Sequence, residues 1–131
     1  MADLLEKSPF SLKRDLKQLQ NEEIDKIAEE LANELHRGIP RPPTVASGFV
    51  TQDRRVAWVK VRIDDLGRKK GKSNGYRCIS LVDLYHRHAF ILHIYRHGRG
   101  EDKDISDAAQ NQLKDMVKQY SDELNKMISR G

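Results

Sequence analysis

Thiols, aromatics and long apolar runs are all scarce in this chain. Cys78 is the only cysteine in 131 residues, which excludes an intramolecular disulfide and leaves a thiolate zinc site without ligands. No apolar run approaches the roughly 20 residues that span a bilayer. The opening MADLLEKSPF carries Asp3 and Glu6 and has no apolar stretch of signal-peptide length. A soluble, cytoplasmic protein with no membrane contact is expected. P-loop, GxSxG and GxGxxG patterns are missing too, so nothing points to a phosphate-cradling loop, a serine nucleophile elbow or a dinucleotide site. The five histidines, His36, His86, His88, His93 and His97, fit no metal-ligand spacing and have no carboxylate cluster beside them. No metal or cofactor is expected.

What the chain has in quantity is charge, at 34% of residues, and that charge is unevenly placed. Residues 54–99 hold twelve Lys/Arg against three Asp/Glu, a local balance of +9 inside a net charge of +4. The remainder is therefore acidic, at −5. A basic block on an acidic frame attracts phosphate-bearing partners. At 15.1 kDa the chain suits one domain over 1–131 with a single compact core.

Apolar spacing lays out the elements. Leu12, Leu16 and Leu19, then Ile24, Ile27, Leu31 and Leu35, recur at three- and four-residue steps over 8–37. The register breaks at Asn21-Glu22-Glu23, where Asn can cap and acids favour a new helix dipole. Two helices in a hairpin are expected, the second closed by Gly38. Residues 38–54 contain three of the four prolines and read as a connector, with a short extended piece at 48–50. Strands follow at about 55–63, 76–84 and 89–96. In the first, Val59, Val61 and Ile63 alternate with Trp58, Lys60 and Arg62. The second is nearly all apolar, as a central strand would be. In the third, Phe90, Leu92 and Ile94 alternate with Ile91, His93 and Tyr95. Residues 64–75 form a basic loop, and Tyr85-His86-Arg87-His88 form a hairpin turn. Ser106 can cap a last helix over 107–129, with Leu113, Met116, Val117, Tyr120, Leu124, Met127 and Ile128 on one stripe. The expected fold is α+β: an N-terminal helical hairpin, a three-to-four-stranded mainly antiparallel sheet with helices against one face, and a C-terminal helix.

Sequential strand pairing would gather Lys60, Arg62, Arg77 and Arg96 at one end of the sheet, beside Lys69, Lys70 and Lys72 of the loop. Convergent cations can hold a phosphodiester and stabilise charge that builds on it during cleavage. Trp58, Tyr76 and Tyr95 are interleaved with them and could stack on bases; for Trp58 and Tyr76 a core position is an equal expectation, and the Tyr95 hydroxyl is expected to reach solvent. His93 and His97 near the same end could move protons at neutral pH. His86 and His88 read as turn residues, His36 as a helix end, and Cys78 as a small buried hydrophobe.

On WVKVR at 58–62, GKSNGYR at 71–77 and HIYRHGRGEDKDIS at 93–106, with FSLKRDLKQL at 10–19 before them, the chain resembles the RelE/ParE superfamily of bacterial toxins, most closely its RelE and HigB-like members. That resemblance implies a RelE-like toxin fold and a ribosome-dependent mRNA endonuclease (mRNA interferase) that inhibits translation. In such an enzyme the ribose 2′-hydroxyl attacks the adjacent phosphate, without a metal, while protein cations stabilise charge. Lys60 and Arg62 match the family's cationic strand and Arg77 its YR motif. Arg96 or Arg99 matches the arginine after the last strand, and Tyr95 or His97 would replace the family's catalytic tyrosine, where this chain has Asp104-Ile105-Ser106. Lys69, Lys70, Lys72 and Arg99 would contact RNA or the ribosome. The resemblance further implies partners: a cognate antitoxin, mRNA in the ribosomal A site with rRNA, and operator DNA only through the antitoxin. A ParE-like gyrase inhibitor and a non-catalytic RNA-binding domain are the alternatives.

Overall fold

The computed structural model describes residues 4, 6–17, 19, 21–36, 45–63, 76–96 and 105–130. Helix α1 spans Leu12–Leu16 and α2 Asn21–His36; the strands are β1 Val45–Val50, β2 Val56–Ile63, β3 Tyr76–Asp83 and β4 His88–Arg96; helix α3 spans Asp107–Arg130. The sheet order is β1-β2-β3-β4, with every neighbouring pair antiparallel. This is the expected α+β class with the expected helical hairpin, sheet and C-terminal helix. Gly38 and the loop at 64–75 lie outside the described residues.

Local chemistry accounts for the element ends. The Ser11 hydroxyl accepts from Arg14 N–H at 3.3 Å and starts α1, and the Ser106 hydroxyl accepts from Ala109 N–H at 3.1 Å and starts α3. Asn21 begins α2 with Glu22 and Glu23 in its first turn, where acids favour the dipole. The turn between β1 and β2 is closed by side chains. Asp53 accepts from the Thr51 hydroxyl at 2.6 Å and from Arg55 N–H at 3.0 Å. Asn125 of α3 donates to Asp53 at 3.3 Å and accepts from Arg55 Nη1 at 2.7 Å. These bonds, the Thr51 hydroxyl's foremost, hold the Asp53 carboxyl below its ordinary value.

The connector contributes a strand. The extended piece foreseen at 48–50 is the end of β1, and Gly48 is required there by close approach. A Cβ on Gly48 would lie 2.5 Å from the Trp58 carbonyl oxygen, closer than any side chain permits. The pairing irregularity between Val45 and Gly48 falls at the same place.

Helices cover both faces of the sheet, not one as expected. On one face Val56, Trp58, Ile79 and Leu81 pack with Leu113, Met116, Val117, Tyr120 and Leu124 of α3. On the other, Ala57, Val59, Val61, Cys78 and Val82 pack with Ile27 and Leu31 of α2, with Leu12 and Leu16 alongside. Between two helical layers a strand has no wet side, which is why all eight residues of β3 are buried. Trp58 and Tyr76 are therefore core residues, on opposite faces. Met127, placed on the α3 stripe by spacing, is instead 58% exposed.

A bulge corrects the expected alternation of β4. Ile79 pairs with His93 but Ser80 with Ile91, so Leu92 is the extra residue. Beyond it the parity changes: Ile91 and Ile94 both pack on the α2 side, while Phe90, Leu92 and Tyr95 pack on the α3 side. Among the described residues no helix is long and apolar enough to cross a membrane.

Candidate functional site

Antiparallel register sets the cationic residues relative to one another. Arg62 pairs with Arg77 and Arg77 with Tyr95, one row across β2, β3 and β4 at the sheet end where the 64–75 loop departs. Paired positions stand about 5 Å apart. Lys60 lies one pleat further in on the same face, paired with Ile79, which pairs in turn with His93. Lys60, Arg62, Arg77, Tyr95 and His93 thus share one patch of sheet. For Arg62 and Arg96 the strand position alone is described.

Three features of that patch differ from the sequence reading. First, Lys60 and Arg77 are 7% and 4% exposed, buried cations and not members of an open basic surface. The physical reason is the sandwich: alternation puts them on the face that α3 covers. Second, Arg96 pairs with Tyr76, a row out of phase with Arg77. The YR pair splits in the same way, since Tyr76 packs on the α2 side and its hydroxyl donates to Glu23. Third, the Tyr95 hydroxyl oxygen is buried and does not reach solvent. Lys69, Lys70, Lys72, His97 and Arg99 lie outside the described residues.

Arg77 is held against its own strand, with Nη1 donating to the Tyr76 carbonyl at 3.3 Å. Withdrawal from water strengthens the field a cation exerts on a neighbouring anion.

The edge of β4 carries a contact that sequence reading missed. Asp15, from α1, accepts from Ile94 N–H at 3.1 Å, satisfying an edge-strand donor that would otherwise face water. The same carboxylate oxygen lies 2.7 Å from His93 Nδ1. The His93 ring is sandwiched between Phe10, stacked at 4.2 Å, and Tyr95, stacked at 4.7 Å. The only sequence signal was an acid within FSLKRDL, and its partner is 78 residues away.

A second polar cluster lies at the opposite end of β3. Asp83 is fully buried and accepts from the Tyr120 hydroxyl at 2.6 Å, from His86 N–H at 2.8 Å and from the His86 ring at 2.7 Å. Burial pushes the Asp83 carboxyl up, but the bonds from Tyr120 and His86 outweigh it and hold the group below its ordinary value. Burial and that carboxylate together push the Tyr120 phenol well above its ordinary value. Burial also raises the Cys78 thiol to about 11, as suits an inert core residue. His36 ends α2 and His86 sits in the hairpin turn, as expected, whereas His88, expected in the turn, is the first residue of β4 and pairs with Asp83.

A cavity of about 620 Å³ lies on the α2 face, lined by Ala28, Leu31, Ala32, Val82 and Ile91, with His36 and Arg87 among its walls. It lies away from the cationic patch, toward the other end of β3 and β4, where Val82, Leu84 and Ala89 line it. Among the described residues no group of three or more His, Cys, Asp or Glu is arranged to hold a metal ion. Compared with known proteins, the chain matches no family model, no curated protein and no solved structure.

Proposed function

We propose that this chain is the toxin of a toxin–antitoxin pair, a RelE/HigB-like endoribonuclease that cuts mRNA in the ribosomal A site. The observation that carries the reading is the Arg62–Arg77–Tyr95 row with Lys60 one pleat behind it. Cleavage by an internal 2′-hydroxyl needs little more than alignment and a means of stabilising the extra charge on phosphorus. Lys60 and Arg77 supply fixed cations for that charge, Arg62 extends the row, and Lys69, Lys70, Lys72 and Arg99 contribute long-range attraction to RNA. Tyr95 holds the β4 position of the row, and His97 stands near it in sequence. The partners are a cognate antitoxin, whose acidic segment would suit the basic block, and the ribosome with its mRNA; operator DNA is reached through the antitoxin. The site of action is the cytoplasm.

Primer extension on a reporter mRNA in a reconstituted translation reaction tests this, with and without ribosomes. Wild-type protein is expected to give discrete cuts only with translating ribosomes, and Arg77→Gln to lower the cutting rate by roughly 100-fold while melting cooperatively. Intact mRNA at high protein concentration sinks the proposal. Stoichiometric inhibition of gyrase supercoiling would then replace it with the ParE-like reading, and salt-dependent RNA binding without cleavage with the binding-domain reading.

A further inference from the structure

We infer that Asp15 and His93 form the proton-transfer unit of this site, His93 exchanging the proton and Asp15 acting as its positioning residue. The inference rests on the endonuclease reading above and deepens it, because cations alone leave the 2′-hydroxyl proton without an acceptor.

Geometry makes the case. The 2.7 Å contact commits His93 Nδ1 to Asp15, and as the ring's N–H donor to a carboxylate it leaves Nε2 with the free lone pair. Nε2 is the ring nitrogen that this contact leaves uncommitted. Phe10 and Tyr95 on the two ring faces at 4.2 and 4.7 Å prevent rotation about χ2. The His93 side chain is 20% exposed, so it is not sealed from solvent. Asp15 is itself anchored, since Ile94 N–H donates to it at 3.1 Å. A base fixed by a carboxylate, which is in turn fixed by backbone, is the arrangement that proton-transfer sites use to set tautomer and direction. The register then places this base beside the charge-stabilising row: His93 stacks on Tyr95, and Tyr95 pairs with Arg77.

In the proposed step His93 Nε2 takes the 2′-hydroxyl proton as O2′ bonds to phosphorus. The bond from phosphorus to the 5′ oxygen breaks with its electron pair, and that oxygen takes a proton from water. The proton on His93 returns to the resulting hydroxide, so no net proton is gained or lost. The ends formed are a 2′,3′-cyclic phosphate and a 5′-hydroxyl.

The competing role is structural, with Asp15 and His93 serving only to pin α1 along the β4 edge. Two substitutions of the full-length protein separate the roles on translating ribosomes. His93→Asn keeps a nitrogen where Nδ1 stands, and so the bond to Asp15, but has no atom at Nε2. It is expected to fold, to leave KM within about 3-fold, and to lower kcat by roughly 100-fold or more. His93→Ala is expected to recover part of its lost rate when free imidazole is added, which a fold defect would not do. Asp15→Asn is expected to lower kcat by about 10-fold or more with KM unchanged. Near-wild-type cleavage by folded His93→Asn overturns the inference and leaves the endonuclease reading standing. So does a dead His93→Ala that folds, binds ribosomes and ignores imidazole. Absence of cleavage by wild-type protein overturns both.

Discussion

Tyr120→Phe isolates one bond in the buried cluster at the far end of β3. The substitution deletes a single oxygen, leaves the ring packed against Phe90 at 5.9 Å, and removes the 2.6 Å donor to Asp83. Bonds to a charged group contribute about 1.5–3 kcal/mol. Asp83 would keep its two bonds from His86, and no unpaired donor is left behind, so the expected loss is about 2 kcal/mol. For 131 residues, an unfolding entropy near 2.1 cal/mol/K per residue makes this roughly 7 °C in Tm. The sign with pH follows from the direction of the Asp83 shift. Its carboxyl is held below the ordinary value in the fold, so its contribution is present above the unfolded pKa of about 3.9 and is lost as pH falls through the folded value. The gap between wild type and Tyr120→Phe is therefore full at pH 7 and narrows in acid. Urea unfolding followed by circular dichroism at pH 7 and near pH 3 measures both quantities. Exposed Tyr85→Phe is the control, expected within about 0.5 kcal/mol of wild type. A loss under about 0.5 kcal/mol, or one equally large at both pH values, refutes the reasoning.

Three other outcomes follow from the packing. Gly48→Ala forces a methyl to 2.5 Å from a backbone oxygen that cannot swing away, and is expected to cost about 2 kcal/mol in the same unfolding assay. Arg54 holds a φ of 60°, so Arg54→Gly is expected to raise stability by roughly 0.5–1 kcal/mol by relieving a left-handed side-chain clash. The buried Cys78 thiol, raised to about 11, is expected to react with a disulfide reagent at least about 100-fold more slowly in native protein than in urea. Rapid native reaction would mean that β3 opens to solvent on the reagent's timescale.

Periodicity located the elements well because it reports burial, and burial is local wherever a strand or helix has one apolar side. It failed at two places where that premise fails. β3 is buried on both faces and shows no alternation at all, so nothing in its sequence says which face each residue joins. In β4 the bulge at Leu92 reverses parity halfway along, and the strict alternation drawn through Ile94 and Tyr95 put them on the wrong faces. A bulge leaves no mark in local apolar spacing, and a second helical layer shows only as the near-continuous apolar run of β3, which does not say which face each residue joins. The strand in the connector was legible only as Gly48-Phe49-Val50, because its pairing depends on a glycine whose value is visible only once Trp58 is beside it.

The site divides along the same line. Lys60, Arg62 and Arg77 could be named from the chain because strand alternation and sequential pairing are short-range rules, and the observed register of β2 with β3 follows them. Their burial could not be foreseen, since it depends on α3 closing over the face those rules assign. Asp15 lay beyond such rules altogether. It meets His93 only because the N-terminal segment passes over the β4 edge, with Phe10 packing on the α3 side and Leu12 and Leu16 on the α2 side. An edge strand exposes unpaired N–H groups, so a carboxylate crossing it has a donor to seek. Ile94 N–H supplies that donor, and the ring one residue earlier falls within reach of the same oxygen. Protection of a sheet edge thus assembles a carboxylate–imidazole pair next to the cationic row. The edge-protecting role and the proposed proton-transfer role share one oxygen atom, so substitutions that divide the two ring nitrogens of His93 tell them apart.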